Sequence, residues 1–473
     1  MNGEIPMKKK ALLAVLLAMT LLLSSCGTLI VKDQEVDAKT VILKMGDKEI
    51  TKAEVQEATQ NELASLYQTY ASYYGTQLDI TDPDVVASAQ STAVTGLKQD
   101  MVLRAKAAEL GLDQLTDEEK AHAKEDAESG WETAKSYVQN YYLTEEQKAL
   151  EGEELEKAIQ EQLDSFGVTM EDYEKTAADE IVDQKLRDYA VQDVTVSDED
   201  VKADYDSKVA ADEEKYKENA ASWTTASNNG TTTLYYTPAG IRRVKQILIK
   251  FKEDDQTAIN DANGKITDAN SRVTAANNKI SAAQETIDSE AAAEEDKTRA
   301  SEDLAAANTE LETANADLEA ANAALKAATD TAFANLDADA DAVLEALKEN
   351  PDSWDQLAEE KNEDPGMKAG AANAEKGYAV CEGMTSFDSA FVDAAMALES
   401  VGDISGKIRG ETYGYYIIKY VGDDTEGPVD YESVKDALHS ALLKTKQDET
   451  YTAAVNQWVE EAGIKEDLGA LKD

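Results

Sequence analysis

Few residues in this chain can do thiol or imidazole chemistry. Among 473 residues there are two histidines, His122 and His439, and two cysteines, Cys26 and Cys381. That excludes a disulfide scaffold, a cysteine-rich zinc module and most histidine metal sites. Asp337-Ala338-Asp339-Ala340-Asp341 imitates the start of a calcium loop, but Ala342 and Lys348 stand where the loop needs Gly and Glu. No phosphate-binding glycine loop, dinucleotide fingerprint or H-E-x-x-H stretch is present. Cys381 reads as a small strand residue. No cofactor and no metal is expected.

Charge narrows the partners. The chain carries 46 Lys+Arg against 96 Asp+Glu, a formal net charge of −50. A field of that sign repels a phosphate backbone, so nucleic acid is excluded as a partner. Hydrophobic residues at 42 % are too many for a disordered acidic chain. Six prolines and abundant Ala, Glu, Asp and Lys point to a mostly helical protein.

The N-terminus reads as an address. Lys8, Lys9 and Lys10 precede an apolar run from Ala11 to Leu23, too short to span a bilayer and the right size for a signal core. It ends in Leu23-Ser24-Ser25-Cys26-Gly27, which resembles a bacterial lipobox. That resemblance implies cleavage before Cys26 and a lipid on its sulfur. Residues 1–25 are then a signal peptide and 26–40 a tether. The mature chain is expected at the extracytoplasmic face of the bacterial cell membrane, held there by lipid.

From 41 to 222 the sequence predicts a helical domain. A short strand at Val41–Met45 is followed by Thr51–Glu54, which fits a capping box. Further starts of this kind occur at Thr116–Glu119, Thr144–Gln147, Thr169–Asp172 and Ser197–Asp200. Leu97, Met101, Ala105 and Ala108 form one apolar face, and Gly111 stops that helix. Tyr67, Tyr70, Tyr73, Tyr74, Tyr137, Tyr141 and Tyr142 fit either a core or an adhesive surface. The Ser, Thr, Asn and Gly of 223–240 read as a linker.

Residues 257–332 carry the clearest pattern. Ile259, Ile266, Val273, Ile280 and Ile287 repeat every seven residues, with alanines three further on from Ala262 to Ala283. Leu304, Leu311, Leu318 and Leu325 repeat likewise, with alanines from Ala307 to Ala328. The two runs mirror one another about a bend placed near Glu295–Asp296. This predicts an antiparallel coiled-coil hairpin with alanine layers, its arms about 50 Å long. The rival is one continuous helix in an intermolecular coil. A hairpin of this kind reads as a spacer or an arm for a protein partner.

On either side of the hairpin lie blocks that belong together. They are the β-branched run Arg243–Phe251, helices at Ala340–Leu347 and Trp354–Ala358, then Lys376–Val380, Met384, Phe391–Leu398, Gly402–Ser405 and Tyr413–Lys419. In this order they resemble a parvulin-type peptidyl-prolyl isomerase domain, 241–422, interrupted by the hairpin. With the lipobox, the Val41–Leu112 pattern and a C-terminal helix within 428–473, the chain resembles the PrsA and SurA class of secretion foldases. The resemblance implies an α+β, mostly helical fold. It would combine a helical chaperone core, on which the C-terminal helix packs, with a four-stranded antiparallel sheet surrounded by helices.

The site follows from the same resemblance. The family's two strand histidines correspond to Gln246 and Tyr416. Asp364 stands where the family places Asp or Cys against the isomerising bond, and Gln246, Asp364 and Tyr416 form the implied catalytic set. Met384 and Phe391 match the apolar wall of the proline pocket, with Tyr378 and Tyr413 as further substrate contacts; Lys376 stands where an apolar residue is common. Rotation about X–Pro crosses a barrier of about 20 kcal/mol without covalent attack. The implied function is a membrane-anchored foldase acting on unfolded or newly exported polypeptides. The alternative is a holdase chaperone whose isomerase domain only binds peptide.

Overall fold

The computed structural model describes residues 34–471. The expected signal peptide and Cys26, the expected lipidation site, lie outside the described residues. The chain forms two compact units: one from the residues up to Val196 with those from Ser440 on, the other from Ser197–His439. The helix Tyr431–Glu461 gives its first turns to the second unit and the rest to the first.

The first unit is a set of helices with a small sheet. Its helix starts are local events. Thr51 with Glu54, Thr116 with Glu119, Thr144 with Gln147 and Thr169 with Asp172 each form both reciprocal capping bonds. Gly111 ends the helix Pro83–Leu110 in the left-handed region at φ 68°, where a side chain would be strained. Val41–Met45 pairs antiparallel with Lys48–Thr51 and with Lys465–Glu466. Ile42, Leu43, Val55, Val94 and Met101 are buried together beneath that sheet. A second core joins Ala127, Val138, Ile159 and Leu163. The face predicted on the second long helix is partly right: Met101 is buried, but Ala107 takes the inward position and Ala108 is exposed. Tyr73 and Tyr141 are 80 % and 73 % exposed.

The second unit is built on a four-stranded antiparallel sheet. Its strands are β1 (Arg242–Lys250), β2 (Tyr378–Val380), β3 (Ile408–Arg409) and β4 (Gly414–Asp423), in the order β2-β1-β4-β3. Alternation along the strands sends side chains to two faces. Val244, Leu248, Tyr416 and Ile418 meet Met384, Phe391 and Trp223 on one side. Ile247, Ile249, Tyr415 and Ile417 meet Phe333, Leu336, Val343 and Trp354 on the other.

The heptad segment is two packed helices, Glu253–Asp288 and Glu294–Glu349. Arg272 pairs with Asp317, and one heptad further on Lys279 pairs with Glu310, a heptad earlier in the second arm. The arms are therefore antiparallel. The alanines are the buried centre, from Ala262 to Ala283 and from Ala300 to Ala321, while the Ile, Val and Leu positions other than the buried Ile259 are half-buried flanks. The bend falls at 289–293, a few residues before the position expected from symmetry. The second arm does not stop at 332. It runs unbroken to Glu349, because Phe333, Leu336, Ala340, Val343 and Leu347 are buried against the sheet.

The linker expected at 223–240 is instead folded structure. Ala220–Asn229 is a helix capped by Asn219, Trp223 is 3 % exposed, and its Nε1 donates to the Tyr236 carbonyl at 2.7 Å. The composition resembled a loop; one buried tryptophan overrides it. The helix Asp198–Tyr216, expected with the first unit, belongs to the second.

Candidate functional site

A cleft of about 780 Å³ opens on the Trp223 side of the sheet. Gln246, Asp364, Tyr378, Met384, Phe391, Tyr413 and Tyr416 all line it. Every sequence-derived catalytic or substrate-contact residue is thus brought to one place. Lys376 is exposed and absent from the lining, whereas Phe387 is part of it.

The polar side is assembled by a residue that sequence reading missed. Asn362 is 5 % exposed and follows the helix Trp354–Lys361. Its Oδ1 accepts from the Leu248 amide at 2.9 Å and the Asp364 amide at 3.0 Å, and its Nδ2 donates to the Gln246 carbonyl at 2.8 Å. This stitches the 362–364 segment onto β1 and sets Asp364 beside Gln246. The Asp364 carboxylate then accepts from Gln246 Nε2 at 2.7 Å, the Tyr378 hydroxyl at 3.0 Å and the Gly366 amide at 2.9 Å. The expected phenol partner was Tyr416; the structure gives that role to Tyr378. Gly366 makes the contact sterically possible, since a Cβ there would lie 1.9 Å from the Tyr378 hydroxyl.

The apolar side is a run of aromatic rings. Tyr378 meets Phe387 at 5.0 Å between centroids, Phe387 meets Phe391 at 5.7 Å, and Phe391 meets Tyr416 at 5.3 Å, all edge to face. Such pairs contribute beyond their buried area and hold ring orientations. Met384 is buried behind them, and Tyr413 stands half-exposed at the rim. Gly410 leaves room for the Tyr416 ring, which a Cβ would approach to 2.3 Å. Burial first, and the nearby Asp364 charge next, push the Tyr378 phenol upward in pKa; burial and then Asp388 do so for Tyr416. Both remain neutral donors at physiological pH.

His122 and His439 do not line the cleft. Cys381 is buried in the adjoining core, where burial pushes its thiol up. The calcium-loop imitation is part of a helix, and Asp337 and Asp341 are spent on Lys407 at 2.8 and 2.7 Å. No group of three or more His, Cys, Asp or Glu among the described residues could hold a metal ion. What the cleft offers is an apolar wall of interlocked aromatic rings together with a fixed carboxylate network. It can hold a ring and hydrogen-bond a peptide group without bond making.

Over part of its length the chain is similar in sequence to proteins named as foldases. The chain is 34 % identical over 112 residues to foldase protein PrsA of Clostridium botulinum, covering 23 % of this chain and 31 % of that protein. It is 26 % identical over 201 residues to foldase protein PrsA of Clostridium perfringens, covering 42 % and 51 %. The matches thus span about a third to a half of these curated relatives. No family model matches the chain. Among solved structures, a SurA-like chaperone of Campylobacter jejuni aligns over 71 % of this chain and 95 % of its own at 14 % identity and TM-score 0.24. PrsA of Streptococcus pneumoniae aligns over 91 % and 97 % at 15 % identity and TM-score 0.23. No helix among the described residues is long and apolar enough to cross a membrane.

Proposed function

We propose that this chain is an extracytoplasmic foldase, anchored by lipid on Cys26, that binds unfolded or newly exported polypeptides and accelerates rotation about their X–Pro bonds. The observation that carries the reading is the Gln246–Asp364–Tyr378 network facing the Phe387–Phe391–Tyr416 wall in one cleft. The wall holds the prolyl ring. The carboxylate network, with Gln246 in place of the family histidine, engages the peptide group as it twists. Each 1.36 kcal/mol taken off the barrier is tenfold in rate, so even a modest network has a measurable effect.

The test is prolyl cis/trans exchange in a peptide panel, using the chain from Gly27 on, which keeps every described residue. Uncatalysed exchange takes tens to hundreds of seconds. Acceleration lost in Asp364→Ala and Met384→Ala supports the reading; no acceleration by folded protein refutes it. A second reading, a holdase whose cleft only binds peptide, is favoured by the exposed Tyr73 and Tyr141 of the helical unit. Suppressed aggregation of an unfolded client with no exchange activity would select it.

A further inference from the structure

The cleft that holds the candidate site is charged in one sense. Glu363, Asp364, Asp388 and Glu411 line it, against Lys250 alone. None of these four carboxylates makes an ion pair among the described residues. Their bonds come from neutral donors. Asp364 accepts from a carboxamide, a phenol and an amide; Asp388 accepts from the Ala390 and Glu411 amides; Glu363 accepts from the Lys250 amide at 2.7 Å. The negative charge is therefore positioned but not neutralised. Clefts with low-dielectric walls focus such a field on whatever enters them.

A second observation points the same way. Gln246 is 8 % exposed and lines the cleft. Its Nε2 is committed to Asp364, and its buried Oε1 has no donor among the described residues. A buried acceptor without a partner is costly, and a ligand that brings a donor removes the cost. Gln246 Oε1 lacks a donor and the four carboxylates lack a paired cation among the described residues, and an occupant that brings both would complete the site.

We infer that the cleft selects proline segments flanked by lysine or arginine and disfavours those flanked by glutamate or aspartate. This rests on the peptide-binding reading above and names its substrate class. The field acts on the flanking side chains, while the aromatic wall takes the ring whatever its neighbours.

The experiment separates the two claims by reading binding and catalysis independently. Three fluorescein-labelled peptides, Lys-Pro-Lys, Ala-Pro-Ala and Glu-Pro-Glu in a common Gly/Ser frame, are titrated with the chain from Gly27 on, and anisotropy is followed. The same peptides are then run in the exchange assay. The expected result is tenfold or more tighter binding of Lys-Pro-Lys than of Glu-Pro-Glu, with the ratio shrinking in 0.5 M salt because exposed charges are screened. In Glu363→Gln/Glu411→Gln protein the ratio falls several-fold. Equal binding, preference for the acidic peptide, or no binding of any peptide overturns the inference. Cation preference in binding without exchange activity upholds it and refutes the isomerase reading alone.

Discussion

Gly366→Ala is the sharpest test of how the site is held together. Its φ lies outside the left-handed region, so the backbone tolerates alanine. The side chain does not fit: the new Cβ would sit 1.9 Å from the Tyr378 hydroxyl and 3.1 Å from the ring carbon bearing it. Tyr378 must withdraw, and Asp364 loses the phenol that reaches it at 3.0 Å. A hydrogen bond to a charged group contributes about 1.5–3 kcal/mol. Gly366→Ala should therefore destabilise by about 2 kcal/mol in urea unfolding and, where the network acts in catalysis, slow exchange about tenfold or more. The control is Tyr378→Phe. It removes the hydroxyl and leaves the ring carbon at 3.1 Å and Asp364 Oδ1 at 3.3 Å, which shifts of a few tenths of an ångström accommodate. In that background Gly366→Ala should cost less than about 0.5 kcal/mol, a coupling of over about 1 kcal/mol in the double-mutant cycle. An equal cost in both backgrounds would refute the reasoning, because the clash would not then be with the hydroxyl.

Asn362→Ala removes three hydrogen bonds and leaves buried backbone groups of β1 unpaired, so urea unfolding should show a loss of about 3 kcal/mol, with Asn362→Asp recovering part of it. Ala314→Leu overfills a fully buried alanine layer between the arms and should lower stability by about 1–3 kcal/mol, whereas Ala305→Leu, on the exposed face, should not; thermal melts separate them. Hydrogen bonds from Lys407 and then Tyr415 hold the Asp337 carboxyl below its ordinary value. A depressed carboxylate stabilises the fold above its unfolded pKa of about 3.9, and that contribution is lost as pH falls through the folded value. Urea midpoints measured from neutral pH down to about pH 2 should thus fall less steeply at the acid end in Asp337→Asn than in the unmodified chain.

What could be read beforehand divides by range of interaction. The capping boxes needed only residues three apart, and all five formed. The hairpin was legible because heptads mark both arms. Its length was not, since the continuation from Phe333 to Leu347 is held by a sheet face drawn from distant strands. Trp223 was misplaced into a linker because Ser, Thr and Asn around it match a loop, and its burial depends on Tyr236 and Arg243. The membership of the site was readable through resemblance, but its wiring was not. Gln246 and Asp364 met as expected. Tyr378, not Tyr416, is the phenol that reaches Asp364, and its approach uses the space left by Gly366. Asn362 had no signal beyond a polar residue after a helix, although an Asn beside the implied catalytic Asp was reason to look.

The inserted hairpin also explains how a site split by more than a hundred positions can be built at all. Gln246 and Asp364 are separated by the whole insertion, yet the insertion closes on itself. Phe251 and Phe333 meet edge to face at 5.0 Å where the arms enter and leave, and Asn335 Nδ2 donates to Asp255 at 2.9 Å just beyond. Lengthening a flexible loop tenfold costs about 2 kcal/mol in closure entropy. A loop that zips into two helices avoids part of that cost, because each heptad brings the ends closer before β1 has to find the 362–364 segment. The second arm then becomes a layer of the sheet unit instead of an appendage: Tyr415 faces it, and Tyr416, the next residue on β4, faces the cleft. One strand thereby carries the contact that seats the arm and the ring that lines the site. This is why the hairpin can be so long without loosening the geometry on the opposite face.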